Sequence, residues 1–316
     1  GVLHRLDGFV RDAAVLSRFL GALSNLRNQV TGALYLFEVH GVHCRTVPIG
    51  PHGISSGELD RALSGERPRL VHLIPSFHNP TGWTMSLEER RFVLERCQED
   101  RIPIFEDDYG PGLRFEGAEP PTLLAMSPQG GVVQSGTLSK IAFPGFRIGW
   151  LLVPREIYSE IHEIRRCSDL GGSLFPQMVL YEFWRRGGLE RHVKKVRREY
   201  GARRDALLEA LSREMPDGTR WSEPSGGLVL WLELPDERDA LELLPEAAKA
   251  GVLFAPGAFF HPSGRGGSGL RLSFGSVPAD RIAEGIRRLG RVLARTSRSG
   301  TRRSGGPSVT DSSLAV

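Results

Sequence analysis

Four short stretches of this 316-residue chain combine acidic, hydroxyl, amide and basic side chains with turn residues: 78–82, 106–109, 135–147 and 270–274. They contain a lysine, whose amine is a nucleophile when it is neutral, and arginines, whose forked guanidinium groups bind carboxylates and phosphates. Each stretch alone also has an ordinary explanation, namely a turn, a helix cap or solvated strand end, a surface lysine, or a strand arginine. A functional interpretation therefore depends on what brings the four stretches together.

The hydrophobic pattern predicts the elements that carry the first three stretches. From residue 69 onward, short β-branched runs alternate with helical segments, which is typical of an α/β sheet covered by helices. A helix should begin at Ser86, because Glu89 three residues later completes a capping box. We expect buried strands at four places: 70–75, 102–105, 132–135 and 148–153. Polar residues follow these strands at their carboxyl ends, which is the edge where open α/β sheets bind ligands.

The second half of the sequence predicts a smaller α+β unit. An amphipathic helix should cover 189–211, with its lysines and arginines in solvent, and a final helix should cover 279–294. Strands are expected at 226–234, 252–255 and 270–274, so the fourth polar stretch lies on a strand of this unit.

We expect four parts along the chain. They are an atypical N-terminal segment with an amphipathic run, a large domain, a small C-terminal domain and a disordered tail, at 1–31, 32–165, 166–296 and 297–316. The tail is Ser, Gly, Arg and Thr with almost nothing apolar, a composition that cannot offset the entropy of ordering.

The composition excludes several classes of protein. No apolar run approaches the length of a membrane span, and the N-terminus lacks the layout of a signal peptide, so we expect a cytoplasmic protein that does not bind membranes. Cys44, Cys97 and Cys167 lie far apart, which predicts neither a disulfide framework nor a metal site, only buried or incidental thiols. A net charge of +4 is small for this length, so we expect no nucleic-acid binding by this chain alone.

In their order, the four stretches resemble the class I/II aminotransferases, which depend on pyridoxal 5'-phosphate (PLP). The branch that they resemble most contains 2-aminoadipate aminotransferases and the aminotransferase-like domains of MocR-type regulators, and the resemblance covers roughly 32–294. It implies PLP fold type I, the aspartate-aminotransferase-like α/β fold. In that fold a doubly wound, mainly parallel sheet in the large, PLP-binding domain is joined to a smaller C-terminal α+β domain. The family usually completes its site across a subunit interface, which implies a homodimer.

The resemblance also implies a role for each candidate residue around the cofactor ring. Lys140, in Ser139-Lys140 followed by Pro144-Gly145-Phe146-Arg147, would form the Schiff base and shuttle the substrate's proton, which requires a neutral amine. Asp107 would keep the pyridine nitrogen protonated. Asn79 and Tyr109 would share the ring oxygen, while Asp108 would stand behind Asp107.

The remaining candidates would bind anionic groups. Thr137 and Arg147 match the residues that hold the cofactor phosphate, with help from Ser139, and Arg271 matches the arginine that binds the substrate's α-carboxylate. The implied function is transamination between an amino acid and a 2-oxo acid, which are the expected small-molecule partners.

The N-terminal part of the family pattern is missing. The Ser-Gly loop that cradles the phosphate at a helix N-terminus is not found before Gly32, and Val30-Thr31-Gly32 stands where the family has an aromatic-Pro-Gly sequence. We therefore expect a truncated or rearranged member whose cofactor binding is weakened. Two alternatives remain open, namely the ligand-sensing aminotransferase-like domain of a MocR-type transcription regulator and a non-catalytic remnant.

Overall fold

A short hairpin is the first pair of strands in the computed structural model, which describes residues 34, 37, 39–50, 53–65, 67–169, 171–235, 238–261 and 267–299. β1 (Ile49–Gly50) pairs with β2 (Gly53–Ile54) in antiparallel fashion. α1 (Ser56–Leu63) follows, with the hydroxyl of Ser55 as its N-cap. The expected N-terminal segment 1–31, with its amphipathic run, lies outside the described residues.

A four-stranded sheet carries the first three polar stretches. Its strands and helices are β3 (Val71–Leu73), α2 (Leu87–Glu99), β4 (Ile104–Asp108), α3 (Leu123–Met126), β5 (Val132–Thr137) and β6 (Gly149–Leu152). The strand order is β3-β4-β5-β6, with β3, β4 and β5 parallel and β6 antiparallel to β5. The predicted capping box at the start of α2 is confirmed, because Ser86 and Glu89 exchange both side-chain to backbone hydrogen bonds.

β4 differs from its predicted position. It begins at Ile104 and continues to Asp108, so Glu106 and Asp107 lie within the strand and not beyond its end. The reason is that the backbone stays in register with β5 as far as the pair Asp108 and Gly136. Because side chains alternate along a strand, Asp107 faces one side of the sheet while Glu106 and Asp108 face the other.

A strand within 148–153 is confirmed as β6 (Gly149–Leu152), but the prediction that it is buried was wrong. β6 pairs with β5 alone among the described strands, and its Trp150 and Leu152 side chains are 37% and 45% exposed. An apolar run predicts a strand equally well at the centre and at the edge of a sheet, so its burial depends on which neighbours pack on it.

A second sheet forms the C-terminal part of the structure. Its elements are α4 (Tyr158–Asp169), α5 (Leu174–Arg185), α6 (Gly188–Glu214), β7 (Arg220–Trp221), β8 (Val229–Glu233), α7 (Ala240–Lys249), β9 (Ala255–Pro256), β10 (Gly269–Ser273) and α8 (Ala279–Ser299). The order is β7-β8-β10-β9 and every pairing is antiparallel. Leucines and isoleucines of α6 and α8 pack on the apolar face of β8 and β10 in one continuous core.

The final helix is longer than the sequence predicts. α8 continues to Ser299, five residues beyond the expected end at 294, and 300–316 lie outside the described residues. The disorder of the tail stays a prediction. Arg238 supports the end of this helix by donating to the carbonyl of Leu293 and to the Thr296 hydroxyl. The predicted domain boundary at residue 165 falls inside α4, and the division into two domains stays a prediction.

The basic face of α6 is only partly in solvent, as a correction to the expectation above. Arg204 is buried, donates to the Pro224 carbonyl and forms ion pairs with Glu116 and Asp205. Arg203 donates to the Gly275 carbonyl. These two side chains therefore connect the helix to the loops beneath it.

Other expectations from composition can be compared with the described residues. Cys97 is buried, Cys44 is half-buried and Cys167 is exposed, and all three are free thiols. None of the helices described is both long and apolar enough to cross a bilayer. Within the same part of the chain, no group of three or more His, Cys, Asp or Glu side chains is arranged to hold a metal ion.

Arg90 on α2 forms hydrogen bonds to several separate segments of the chain. Its guanidinium is fully buried and donates to the carbonyls of Met85, Pro75 and Pro121 and to the Ser76 hydroxyl, at 2.7–3.2 Å. Burial lowers the pKa of Arg90, and the nearby carboxylates of Glu106 and Asp108 oppose that shift. A buried arginine that donates four such hydrogen bonds is costly to remove, because its acceptors lose their partners.

We predict that Arg90→Met destabilises the protein by roughly 3–5 kcal/mol, since it leaves buried carbonyls unsatisfied. Urea unfolding followed by circular dichroism would measure the change. The matched control is Arg91→Met on the exposed side of the same helix, which should stay within about 0.5 kcal/mol of wild type. Equal effects of the two substitutions would contradict the structural role of Arg90.

Candidate functional site

Asp107 is the most deeply buried of the acidic candidates. It lies opposite Ser135 in the β4–β5 ladder, and the Ser135 hydroxyl lies 3.4 Å from its Oδ1 atom. Burial raises the pKa of Asp107 to about 7, and the charge of Asp108 adds to the rise; the Ser135 hydrogen bond and the positive charge of Lys140 act against it. A cation placed beside this carboxyl would stabilise its charged form and lower its pKa again.

Lys140 follows β5 and is half-buried. Its pKa is lowered, first by burial and then by the positive charges of Arg271 and Arg147, while Asp107 acts in the opposite direction. The fold therefore brings three cationic side chains, Lys140, Arg147 and Arg271, close to the buried acid Asp107. These four residues come from three of the four polar stretches. A lowered pKa increases the fraction of the neutral amine, which is the form that acts as a nucleophile or accepts a proton.

Asn79 and Arg271 meet although they are 192 residues apart. Arg271 Nη1 donates to Asn79 Oδ1 at 2.7 Å, so the Asn79 amide NH2 is the group it keeps for donating to another partner. The Arg271 guanidinium lies over the Phe260 ring, 4.9 Å from its centroid. Its buried Nε atom has no hydrogen-bond partner among the described residues, which leaves donor capacity for an anion.

Tyr109 is buried next to this pair. Its hydroxyl donates to the Phe77 carbonyl at 2.5 Å, and burial raises its pKa. A hydroxyl has one proton to donate. Tyr109 can therefore donate to a ligand only if its hydroxyl turns away from Phe77.

Thr137, Ser139 and Arg147 form a cluster of hydroxyl and guanidinium groups at the end of β5. The Thr137 hydroxyl accepts from the Ser139 backbone N–H at 3.1 Å, and it lies 3.1 Å from the Ser139 hydroxyl. Arg147 Nη1 lies 3.5 Å from the same Ser139 hydroxyl. Arg147 itself is exposed and has a left-handed backbone, with φ of 54°, immediately after the short 3₁₀ turn Pro144–Phe146.

Several residues that shape this region were missed by the sequence argument. Glu106 is buried and accepts the backbone N–H groups of Leu123 and Leu124, which ties β4 to the first turn of α3. Phe77 binds the Tyr109 hydroxyl through its carbonyl. The alternation of side chains along a strand could have predicted that Asp107 and Glu106 lie on opposite faces of the sheet. No local signal in the sequence pointed to Phe77.

The eight residues predicted for the site thus lie in one region, where β4, β5, β10 and the 78–82 turn come together. A family model described as "Aminotransferase class I and II" matches residues 36–289 of this chain. The chain belongs to the class I and II aminotransferases. The roles of the individual residues within that family pattern remain predictions.

Similar proteins support the same family. The 2-aminoadipate transaminase of Thermus thermophilus is 36% identical over 83% of this chain and 66% of its own length. The HTH-type transcriptional regulator YisV of Bacillus subtilis, described as uncharacterized, is 31% identical over 81% of this chain and 52% of its own length. The chain therefore spans between about half and about two-thirds of the length of these relatives.

A solved structure supports the expected fold. The α-aminoadipate aminotransferase LysN of Thermus thermophilus, in complex with N-(5'-phosphopyridoxyl)-L-leucine, superposes with a TM-score of 0.81 at 34% identity, over 85% of this chain and 70% of that one. The α/β fold of the aspartate-aminotransferase type is confirmed for this aminotransferase-family chain.

The state of Asp107 predicts an unusual pH dependence for the cofactor-free protein. The folded protein holds the Asp107 proton up to about pH 7, whereas an unfolded chain loses it near pH 3.9. The folded state therefore binds more protons between these values, and its stability falls as the pH rises through this window. Asp107→Asn removes this loss, so the variant should gain roughly 2–4 kcal/mol relative to wild type between pH 4 and pH 8.

Urea unfolding of wild type and variant at pH 4, 6 and 8 would measure that difference. Asp217→Asn, at an exposed carboxylate, is the control and should show no such trend. A difference between Asp107→Asn and wild type that is constant with pH would mean that Asp107 ionises normally.

Proposed function

We propose that this chain is a PLP-dependent transaminase that moves an amino group between an amino acid and a 2-oxo acid. The observation that supports this most directly is the environment of Lys140. Its amine has a lowered pKa, is surrounded by the charges of Asp107, Arg147 and Arg271, and lies at a sheet edge of the kind where α/β proteins bind ligands.

The residues present fit the cofactor at both of its ends. Asp107 is a buried acid whose pKa burial raises to about 7. A protonated pyridine nitrogen beside it would offset that effect and hold Asp107 as the carboxylate. Thr137, Ser139 and Arg147 offer two hydroxyls and a permanently charged guanidinium to a phosphate. When bound, PLP supplies a conjugated ring that takes up the electron pair released at the substrate's α-carbon.

The ring oxygen would be held between two neighbouring groups. The Asn79 amide NH2 can donate to it while Oδ1 stays bound to Arg271. Tyr109 would add a second donor after its hydroxyl turns from the Phe77 carbonyl. Both groups favour the ionised oxygen, because a hydrogen bond to the charged form stabilises it.

Arg271 is suited to bind the substrate's α-carboxylate. Its guanidinium rests on the Phe260 ring and keeps a buried Nε donor that has no partner among the described side chains and backbone groups. A guanidinium binds a carboxylate through two parallel hydrogen bonds. With the carboxylate held there, Lys140 can accept the α-proton at Nζ and return it, since its lowered pKa keeps part of the amine neutral.

We predict that added PLP gives the protein a visible absorbance band and that borohydride then fixes the cofactor to Lys140, as peptide mass spectrometry would show. A suitable amino acid should discharge the band and a 2-oxo acid should restore it. Lys140→Ala should abolish both the fixation and the exchange. Lys195→Ala, at an exposed lysine of α6, should leave both unchanged.

Three outcomes of this experiment separate the alternatives. A colourless protein with an unmodified Lys140 would contradict the cofactor proposal and leave the non-catalytic remnant. Binding of PLP followed by one exchange without multiple turnover would favour a sensor. Sustained transfer between the two substrates supports the transaminase.

The sensor alternative rests on the similarity to HTH-type regulators. YisV matches 81% of this chain, and the match covers 52% of that regulator. A regulator's ligand-sensing domain would bind its ligand through the same groups, at Lys140 and Arg271. It would change the regulator's state when the ligand is bound, without turning substrates over.

The cytoplasmic location and the division into domains at residue 165 stay predictions.

We also propose that two copies of the chain form a homodimer through α4 and α5. These helices bury little: Leu180 is the one buried side chain described on α5. Their exposed apolar side chains are Tyr158, Leu174, Phe175, Met178, Tyr181 and Trp184, and Phe175 is 75% exposed. Exposed apolar side chains in this number, five of them on the single helix α5, are typical of a protein interface.

The double substitution Phe175→Glu with Met178→Glu should convert a dimer of 34.9 kDa chains into a monomer in analytical ultracentrifugation. Charges placed in an apolar interface lose their hydration when the copies associate. Leu253→Glu, at a side chain that is 78% exposed elsewhere, is the control and should remain dimeric. A wild-type protein that is monomeric at all concentrations would rule out this interface.

A further inference from the structure

Phe77 has a backbone conformation that large side chains rarely adopt. Its φ is 55°, in the left-handed region, although it carries an aromatic side chain that is fully buried. The other non-glycine residues with positive φ among those described are Arg101 and Arg147. Such a conformation is costly and persists only where the surrounding contacts enforce it, and it is concentrated at functional sites.

Both backbone groups of Phe77 are held by side chains from other segments. Its N–H donates to the Thr84 hydroxyl at 3.1 Å, just ahead of α2. Its carbonyl accepts the Tyr109 hydroxyl at 2.5 Å, from the residue after β4. The conformation is therefore fixed from two sides at once.

The Phe77 ring is held from a third side, by the backbone that leads into β8. A Cβ atom added to Gly226 or Gly227 would come within 2.2 Å and 2.6 Å of Phe77 atoms, so only glycine fits at these two positions. The Arg114 guanidinium lies 5.3 Å from the ring centroid and donates to Ser225. Phe77 thus joins the segments around the first sheet to the second sheet.

The direction of the chain after Phe77 sets the position of Asn79. His78 follows, with its N–H donating to the Trp83 carbonyl and its own carbonyl accepting from the Gly82 N–H, both at 2.6 Å. This turn presents Asn79 to Arg271. A change in the Phe77 backbone would shift Asn79 and weaken the hydrogen bond to Tyr109 together.

We propose that Phe77 is a positioning residue that sets the places of Asn79 and Tyr109 through its strained backbone and its packing on Gly226 and Gly227. The predicted effect of Phe77 on PLP binding rests on the proposed function. The effect of Phe77 on the positions of Asn79 and Tyr109 can be tested without PLP, so this proposal and the proposed function can fail separately.

The first test is a double-mutant cycle on the cofactor-free protein. Tyr109→Phe removes the hydroxyl that binds Phe77, and in wild type it should lower the folding equilibrium constant about five-fold. In a Phe77→Leu background the same change should cost less than about two-fold, because the carbonyl has moved. Phe274→Leu is the matched background, since Phe274 is equally buried but lies in the core of the second sheet; there the full cost should remain.

The second test measures PLP affinity by the visible band. Phe77→Leu should weaken PLP binding about ten-fold more than Phe274→Leu, because a displaced Asn79 loses its charge-assisted hydrogen bond to the ring oxygen. A purely structural loss would lower stability in both variants and leave their affinities alike. If Phe77→Leu does not fold, Phe77→Met serves in both tests.

An equal cost of Tyr109→Phe in all three backgrounds overturns the proposal, whether or not PLP binds. Equal PLP affinities of the two leucine variants overturn it as well. If wild type fails to bind PLP, the proposed function fails and the cycle still decides the role of Phe77.

Discussion

The hydrogen bond from Arg271 to Asn79 connects the two sheets at the candidate site. β10 supplies the donor and the turn after β3 supplies the acceptor, so neither sheet alone contains the site. The contact also determines what each partner can do. Asn79 keeps its amide NH2, Arg271 keeps its Nε donor, and both remain available to a ligand that lies between the sheets.

Much of the surrounding structure supports that contact. Arg90 donates to the Pro75 carbonyl and to the Ser76 hydroxyl, four and three residues before Asn79. On the other side, Arg204 holds the Pro224 carbonyl, just ahead of the glycines on which Phe77 packs. Buried arginines suit this task, because one guanidinium can bind several carbonyl groups from different segments at the same time. Stability and site geometry therefore depend on the same side chains.

The electrostatic state of the site follows from the same arrangement. Burial raises the pKa of Asp107 and lowers that of Lys140, and each effect reflects the cost of an ion that has lost its water. The cations Arg271 and Arg147 lower the Lys140 pKa further. A cation beside Asp107 would offset the cost of its charge, and a protonated pyridine nitrogen is a cation of this kind.

The sequence by itself determined the family and the fold type, and it named the candidate residues of the site. The order of the four polar stretches indicated the family. Local signals such as the capping box at Ser86 and Glu89 located α2, because these signals depend on residues only a few positions apart. The apolar runs also located the strands, although β4 extends further than its run indicated.

Only the tertiary structure decided burial, pairing and strain. The burial of Arg204, the exposure of β6 and the left-handed backbone of Phe77 depend on contacts between residues that are distant in sequence. A periodic pattern reports which face of an element is apolar, but it does not report which neighbour covers that face. The contact between Asn79 and Arg271, across 192 residues, is of the same kind.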